Sequence, residues 1–120
     1  MASFSKRVLG GSTDGKAIKV TGINSAAAVT VHTGDTATAT IDEVWIYANN
    51  TSASDVKLTL EWGTATAADG NIEYTVRAEN GLYLIVPGLV LKGNATALTV
   101  KAFAATVDVI LLTGYVNRIA

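Results

Sequence analysis

Residues 97–119 read Ala-Leu-Thr-Val-Lys-Ala-Phe-Ala (97–104), Ala-Thr-Val-Asp (105–108), then Val-Ile-Leu-Leu-Thr-Gly-Tyr-Val-Asn-Arg-Ile (109–119). In the first part Leu98, Val100 and Ala102 fall on one face of a strand, and Thr99, Lys101 and Phe103 on the other. Residues 109–112 are apolar on both faces, the pattern of a strand in the middle of a sheet and covered on both sides. The stretch predicts a hairpin whose second strand is central. The rest of the chain must supply its neighbours and a second sheet to cover it.

Working outward, residues 55–62 give the cleanest alternation: Val56, Leu58, Leu60 and Trp62 inward, Lys57, Thr59 and Glu61 outward. Residues 72–78 alternate Ile72, Tyr74 and Val76 against Glu73, Thr75 and Arg77, and Asn80-Gly81 then signals a hairpin. In residues 40–49, Val44, Ile46 and Ala48 oppose Glu43, Trp45 and Tyr47, but Ile41 falls on the face of Glu43. A bulge near Asp42 would account for that switch. Residues 4–9 form a short strand with Phe4, Lys6 and Val8 on one face; 17–20 and 28–33 are further short strands, and 21–27 a loop. Leu82 to Val86 and Leu89 to Leu91 are apolar runs on either side of Pro87-Gly88, which fits a type II turn or a corner between sheets. No stretch combines helical periodicity with a capping signal. The expected fold is all-β, a two-sheet antiparallel β-sandwich of nine or ten strands, either jelly roll or immunoglobulin-like; the Pro87-Gly88 corner favours the jelly roll. One domain over residues 1–120 is expected, with 1–15 as a possible N-terminal arm.

The composition narrows the function. Apolar residues make up 49% of the 120 residues and charged residues 16%, against about 25% charged in an average domain. Nineteen alanines, sixteen threonines and thirteen valines leave few charges to cover a surface. Part of that surface is therefore expected to be buried against other proteins, as a homo-oligomer (dimer or trimer) or against another partner. A formal net charge of −1 gives no field that favours nucleic acid. The first ten residues do not read as a signal peptide, no apolar run has the length of a membrane span, and the chain lacks cysteine. Neither a membrane nor a disulfide framework is expected, and synthesis in the cytoplasm is.

No constellation carries reaction chemistry. Gly10-Gly11-Ser12-Thr13-Asp14-Gly15-Lys16-Ala17 approaches a phosphate-binding loop, but Ala17 lacks the hydroxyl that holds magnesium and β-like Ile18-Lys19-Val20 follows where a helix is required. His32 is the single histidine, and no serine sits in a nucleophile elbow. On the polar side of a strand, His32 is expected to be solvated. Asp14, Asp35, Asp55 and Asp69 are isolated loop acids, so neither a metal nor a cofactor is expected. Glu61 and Glu73 could form a carboxylate pair on neighbouring strands, but Lys57 and Arg77 share their faces and predict ordinary charge pairing. The expectation is a protein without enzymatic activity.

Two features suggest an interface. Trp45 and Tyr47 share a face, as core, as anchors of a protein contact, or as a platform for sugar rings. Lys6, Arg7, Lys16 and Lys19 crowd the first twenty residues against Asp14 alone, while residues 42–79 hold seven acids against Lys57 and Arg77. A basic arm reaching an acidic partner surface fits that asymmetry, as does a frayed end with solvated charges. With Phe4, these residues form the candidate interface.

Six stretches stand out together: Phe4-Ser5-Lys6-Arg7-Val8-Leu9 with Gly11-Ser12-Thr13-Asp14-Gly15; residues 42–49, Asp-Glu-Val-Trp-Ile-Tyr-Ala-Asn; Leu58-Thr59-Leu60-Glu61-Trp62-Gly63; Val86-Pro87-Gly88-Leu89; Ala102-Phe103-Ala104-Ala105; and residues 114–119, Gly-Tyr-Val-Asn-Arg-Ile. In these stretches the chain resembles a family of small virion structural proteins of tailed bacteriophages. The resemblance implies a non-enzymatic capsid decoration (cement) protein on the virion surface, bound to the major capsid protein and stabilising contacts between its subunits. A head-fibre or tail component and a carbohydrate-binding module are the alternatives.

Overall fold

A computed structural model describes residues 3–120. Nine strands and one 3₁₀ turn follow in order: β1 (Phe4–Val8), β2 (Ile18–Lys19), the turn (Ser25–Ala27), β3 (Val29–Thr33), β4 (Ile41–Asn50), β5 (Val56–Trp62), β6 (Asn71–Val76), β7 (Tyr83–Lys92), β8 (Thr99–Ala104) and β9 (Ile110–Ile119). They form two antiparallel sheets packed as a β-sandwich. Sheet A has the order β1-β9-β4-β7, with β2 also paired to β9; sheet B has the order β3-β8-β5-β6.

The inward positions of both sheets build one core. Val44, Ile46 and Ala48 of β4 and Ile110, Leu112 and Val116 of β9 meet Leu58 and Leu60 of β5 and Val100, Ala102 and Ala104 of β8, all of them buried. Fully burying a Leu, Ile or Val side chain stabilises by roughly 1.5–3 kcal/mol. Tyr74 of β6 stacks on Tyr83 of β7, centroids 5.3 Å apart, and closes one side of the sandwich.

β9 is central, as its two-faced apolar run predicts, but residues 97–119 are not a hairpin. β8 lies in sheet B and β9 in sheet A. The link between them, which contains Asp108 at φ 65, arches across the core. The apolar sides of the two strands therefore face each other instead of lying side by side. The same holds at Asn80-Gly81, which joins β6 of sheet B to β7 of sheet A. Pro87-Gly88 is neither turn nor corner. β7 runs through it as one strand, and the register on β4 shifts between Val44 and Trp45 and again between Ile46 and Tyr47. Gly88, at φ +77, absorbs the first shift.

No bulge occurs at Asp42. β4 pairs with β9 without interruption, from Ile41 opposite Ile119 to Asn50 opposite Ile110. Gly114 makes this possible, because a Cβ there would lie 1.9 Å from the Trp45 carbonyl oxygen. The inward row of β4 is thus Asp42, Val44, Ile46, Ala48 and Asn50, with a polar residue at each end. Asn50 is satisfied: its amide donates to the carbonyls of Ser54 and Val76, and its oxygen accepts from Ser52.

Of the arm, Met1 and Ala2 lie outside the described residues. Phe4 to Val8 pair with β9 at the edge of sheet A, and Leu9 is buried in the core.

Candidate interaction surface

The acid and histidine that could have carried chemistry form a structural tie. Asp42 is 1% exposed. Its Oδ1 accepts from Arg118 Nε at 2.7 Å and its Oδ2 from Arg118 Nη2 at 2.8 Å, a bidentate pair across β4 and β9. His32 is buried, not solvated, because the register of β3 shifts between Thr30 and His32 and turns it inward. Its Nδ1 accepts from the Gly10 N–H at 2.9 Å, so the ring proton sits on Nε2, which donates to Asp42 Oδ2 at 2.8 Å. In a catalytic triad the histidine nitrogen away from the acid faces a hydroxyl or thiol; here a backbone amide occupies that place. Burial pushes the Asp42 carboxyl upward, but the Arg118 and His32 hydrogen bonds outweigh it and hold the carboxyl below its ordinary range. The hydrogen bonds to Asp42 raise Arg118 in turn. Asp35, 4.0 Å from Arg118 Nη1, is also lowered, chiefly by the Thr40 hydroxyl and the Thr36 N–H.

Glu61 and Glu73 have different surroundings, and the ion pairs are not the expected ones. Lys57 pairs with Glu73 at 3.2 Å, and Arg77 pairs with Asp55 at 3.5 Å. Glu61 points outward from β5 yet is buried. The loop that carries Ser25–Ala27 folds over it, and Ser25 Oγ donates to Glu61 Oε2 at 2.6 Å. Glu61 Oε1 is buried without a hydrogen-bond partner. A shallow pocket of about 230 Å³ beside this loop is lined by Ile23, Lys57, Thr59, Glu73, Phe103 and Ala105. Among the described residues no group of three or more His, Cys, Asp or Glu is placed to hold a metal ion.

The outer face of sheet A has a different character. The strand registers set its side chains in rows across β1, β9, β4 and β7. Phe4, Ile119, Ile41 and Lys92 form the first row, and Lys6, Asn117, Glu43 and Val90 the second. Val8, Tyr115, Trp45 and Pro87 form the third, with Thr113, Tyr47 and Leu84 beyond. The centre is an ordered ladder. Lys6 Nζ lies 4.3 Å from the centroid of Tyr115, whose ring stacks on Trp45 at 5.9 Å and 12°. Trp45 Nε1 donates to Glu43 Oε1 at 2.8 Å, and Asn117 Nδ2 donates to the same oxygen at 3.0 Å. The Asn117 and Trp45 bonds lower the Glu43 carboxyl. Gly88 leaves room for the indole, since a Cβ there would lie 2.9 Å from Trp45 Cζ2. Phe4 is 75% exposed, Val8 49% and Val90 50%.

Four of the predicted interface residues, Phe4, Lys6, Trp45 and Tyr47, are brought together on this face. Trp45 and Tyr47 are half-buried on the outside of sheet A and are not part of the core. Arg7 points to the other side of β1 and donates to Ser5 Oγ, Lys16 is an exposed turn residue, and Lys19 stands opposite Leu111 at the margin of the face. Tyr115, Asn117 and Glu43 were missed as parts of the surface. Their signal was the alternation of Tyr115, Asn117 and Ile119 along β9. The chain matches no protein-family model, no curated protein and no solved structure.

Proposed function

We propose that this chain is a non-enzymatic bacteriophage virion structural protein, a capsid decoration (cement) protein that binds the major capsid protein at the virion surface and holds neighbouring shell subunits together. The observation that carries this reading is the β1 edge of sheet A. All five residues of Phe4–Val8 are exposed, as are Lys16 and Lys19, and β1 and β2, which carry Lys6, Arg7 and Lys19, both pair with β9. Exposed cations of this kind steer a chain toward an acidic surface. The resemblance of residues 4–15, 42–49 and 114–119 to phage virion proteins supports the same assignment. So do the strand orders, which we read as a jelly roll. Apart from β1, each sheet holds four strands, β2-β9-β4-β7 and β3-β8-β5-β6, and most consecutive strands lie in opposite sheets. Viral capsid domains are among the proteins that use this architecture. A cement protein also gains from being a homo-oligomer, because linked weak contacts to several subunits add up to strong attachment.

The test is co-sedimentation with expanded shells of the phage that encodes the chain. Wild type should pellet with shells, and the triple reversal Arg7→Glu, Lys16→Glu, Lys19→Glu should stay in the supernatant. Wild type that ignores shells, or a triple variant that binds like wild type, rejects this docking reading. A carbohydrate-binding role is the second reading, favoured by the parallel rings of Trp45 and Tyr115 on an outer face. Glycan-array binding that Trp45→Ala abolishes would establish it.

A further inference from the structure

The two sheets present unlike faces to the outside. That of sheet B is polar and partly roofed: Lys101, Glu61 and Asn71 make one row, Thr59 and Glu73 part of the next, and the Ser25 loop lies over them. That of sheet A is apolar and aromatic. The principal neighbours of β4 and β9 are their own sheet partners, with β6 reaching β4 from the core side. Monomeric proteins rarely leave a contiguous apolar surface larger than a few hundred Å². Four strands about 4.8 Å apart and four rows about 6.8 Å apart give this face a footprint of roughly 500 Å² before side-chain relief. A stable interface takes roughly 800 Å² of accessible surface from each partner, a size this face can supply once its relief is counted.

We propose that two copies of this chain stack through the outer faces of sheet A, about a twofold axis that runs along the strands between β9 and β4. The axis is singled out by complementarity. It lays β9 over the partner's β4 and β1 over the partner's β7, with each row over its own counterpart. Ile119 then meets the partner's Ile41, and Tyr115 meets the partner's Trp45. Asn117 faces the partner's Glu43 and can donate its second amide N–H there. Lys6 faces the partner's Val90, so the cation sits at the edge of the contact and does not meet a second lysine. Lys6 and Glu43 of each copy offset one another in charge, and Lys92, at the end of the first row, lies over the partner's Phe4 at the edge of the contact. Two twisted sheets packed in this way lie about 10 Å apart and cross at about 30°, as sheets do within a sandwich. The inference does not rest on the virion assignment, since it concerns the purified chain alone.

Sedimentation velocity over a wide concentration range tests it. Wild type should sediment as a dimer that dissociates on dilution. Val90→Lys places a cation opposite the partner's Lys6 twice per dimer and should raise the dissociation constant by about tenfold or more. Val90→Glu at the same site should leave the dimer intact or tighten it. Both residues are exposed in the monomer, so folding, checked by circular dichroism, should not change. Ile23→Glu, on the sheet B side, should have no effect. A wild-type monomer at every concentration overturns the proposal. Equal weakening by Val90→Lys and Val90→Glu, or a dimer broken by Ile23→Glu alone, overturns this axis. If wild type is monomeric and Val90→Lys instead abolishes shell binding, the face is a seat for the shell protein and self-stacking is refuted.

Discussion

Replacing Arg118 with methionine should expose how much the fold depends on one buried ion pair. Asp42 is 1% exposed, and Arg118 supplies two of its three side-chain hydrogen bonds. Methionine keeps much of the length of the side chain but leaves the carboxylate buried with only the neutral His32 as donor. Removing one partner of a buried pair costs about 3–5 kcal/mol. The lower end, about 3 kcal/mol, is expected, because the Arg118 side chain retains 15% exposure and so part of the pair is already screened. With a urea m-value of about 1.5 kcal/mol per M, the unfolding midpoint at pH 7 should fall by about 2 M. The pH dependence gives a second readout. In wild type the folded Asp42 carboxyl is lowered, so its ionised form stabilises the fold above the unfolded value of about 3.9, and that contribution fades as pH falls through the lower folded value. Without Arg118 burial dominates and the carboxyl moves up; protonation then relieves the variant first. The gap between the two proteins should therefore narrow by at least about half between pH 7 and pH 4. Asp35 loses the nearby Arg118 charge as well, which narrows the gap at low pH in the same direction. Urea titrations followed by tryptophan fluorescence at the two pH values measure it. A midpoint shift below about 0.5 M at pH 7, or an equal shift at both pH values, would refute the reasoning.

Two further substitutions probe the surfaces. Gly88→Ala puts a Cβ 2.9 Å from Trp45 Cζ2 at a backbone φ of +77. It should cost about 1–2 kcal/mol and displace the indole from Tyr115, read as a change in near-UV circular dichroism. Ser25→Ala removes the hydroxyl bonded to Glu61 and leaves a buried carboxylate with neither oxygen satisfied by a side chain. A loss of about 1–3 kcal/mol is expected, with faster amide exchange in residues 22–28.

Alternation made the strands legible, but it says which face a residue takes and not which strand lies beside it. That is why the elements at 55–62, 72–78 and 109–119 were read well while two of the links were not. A positive φ at Glu79, Gly81 or Asp108 redirects the chain equally well within a sheet or across a core. Asn80-Gly81 therefore looked like a hairpin and is an arch. Pro87-Gly88 looked like the end of a strand because a proline cannot donate a ladder hydrogen bond. At the edge of sheet A that donor is not needed, and the glycine takes up the extra residue as a bulge. The ties between Asp42 and Arg118, 76 residues apart, and between Ser25 and Glu61, 36 apart, lie beyond local pattern, because only the sheet registers and the loop bring them together.

β4 explains why the candidate surface was half visible. Its outward residues, Ile41, Glu43, Trp45 and Tyr47, are as apolar as its inward ones, and its inward row begins with a carboxylate. Read as a strand with one wet face, that pattern demanded a bulge. The registers require none, so each departure has its own cause. Asp42 can point inward because Arg118 and His32 satisfy it there. Among the described residues no element covers the apolar outward row, which carries aliphatic and aromatic side chains where the outward positions of β5 carry Lys57, Thr59 and Glu61. The sequence alternates strictly in β5 and abandons that alternation in β4, so the outer face of sheet A is the more apolar of the two.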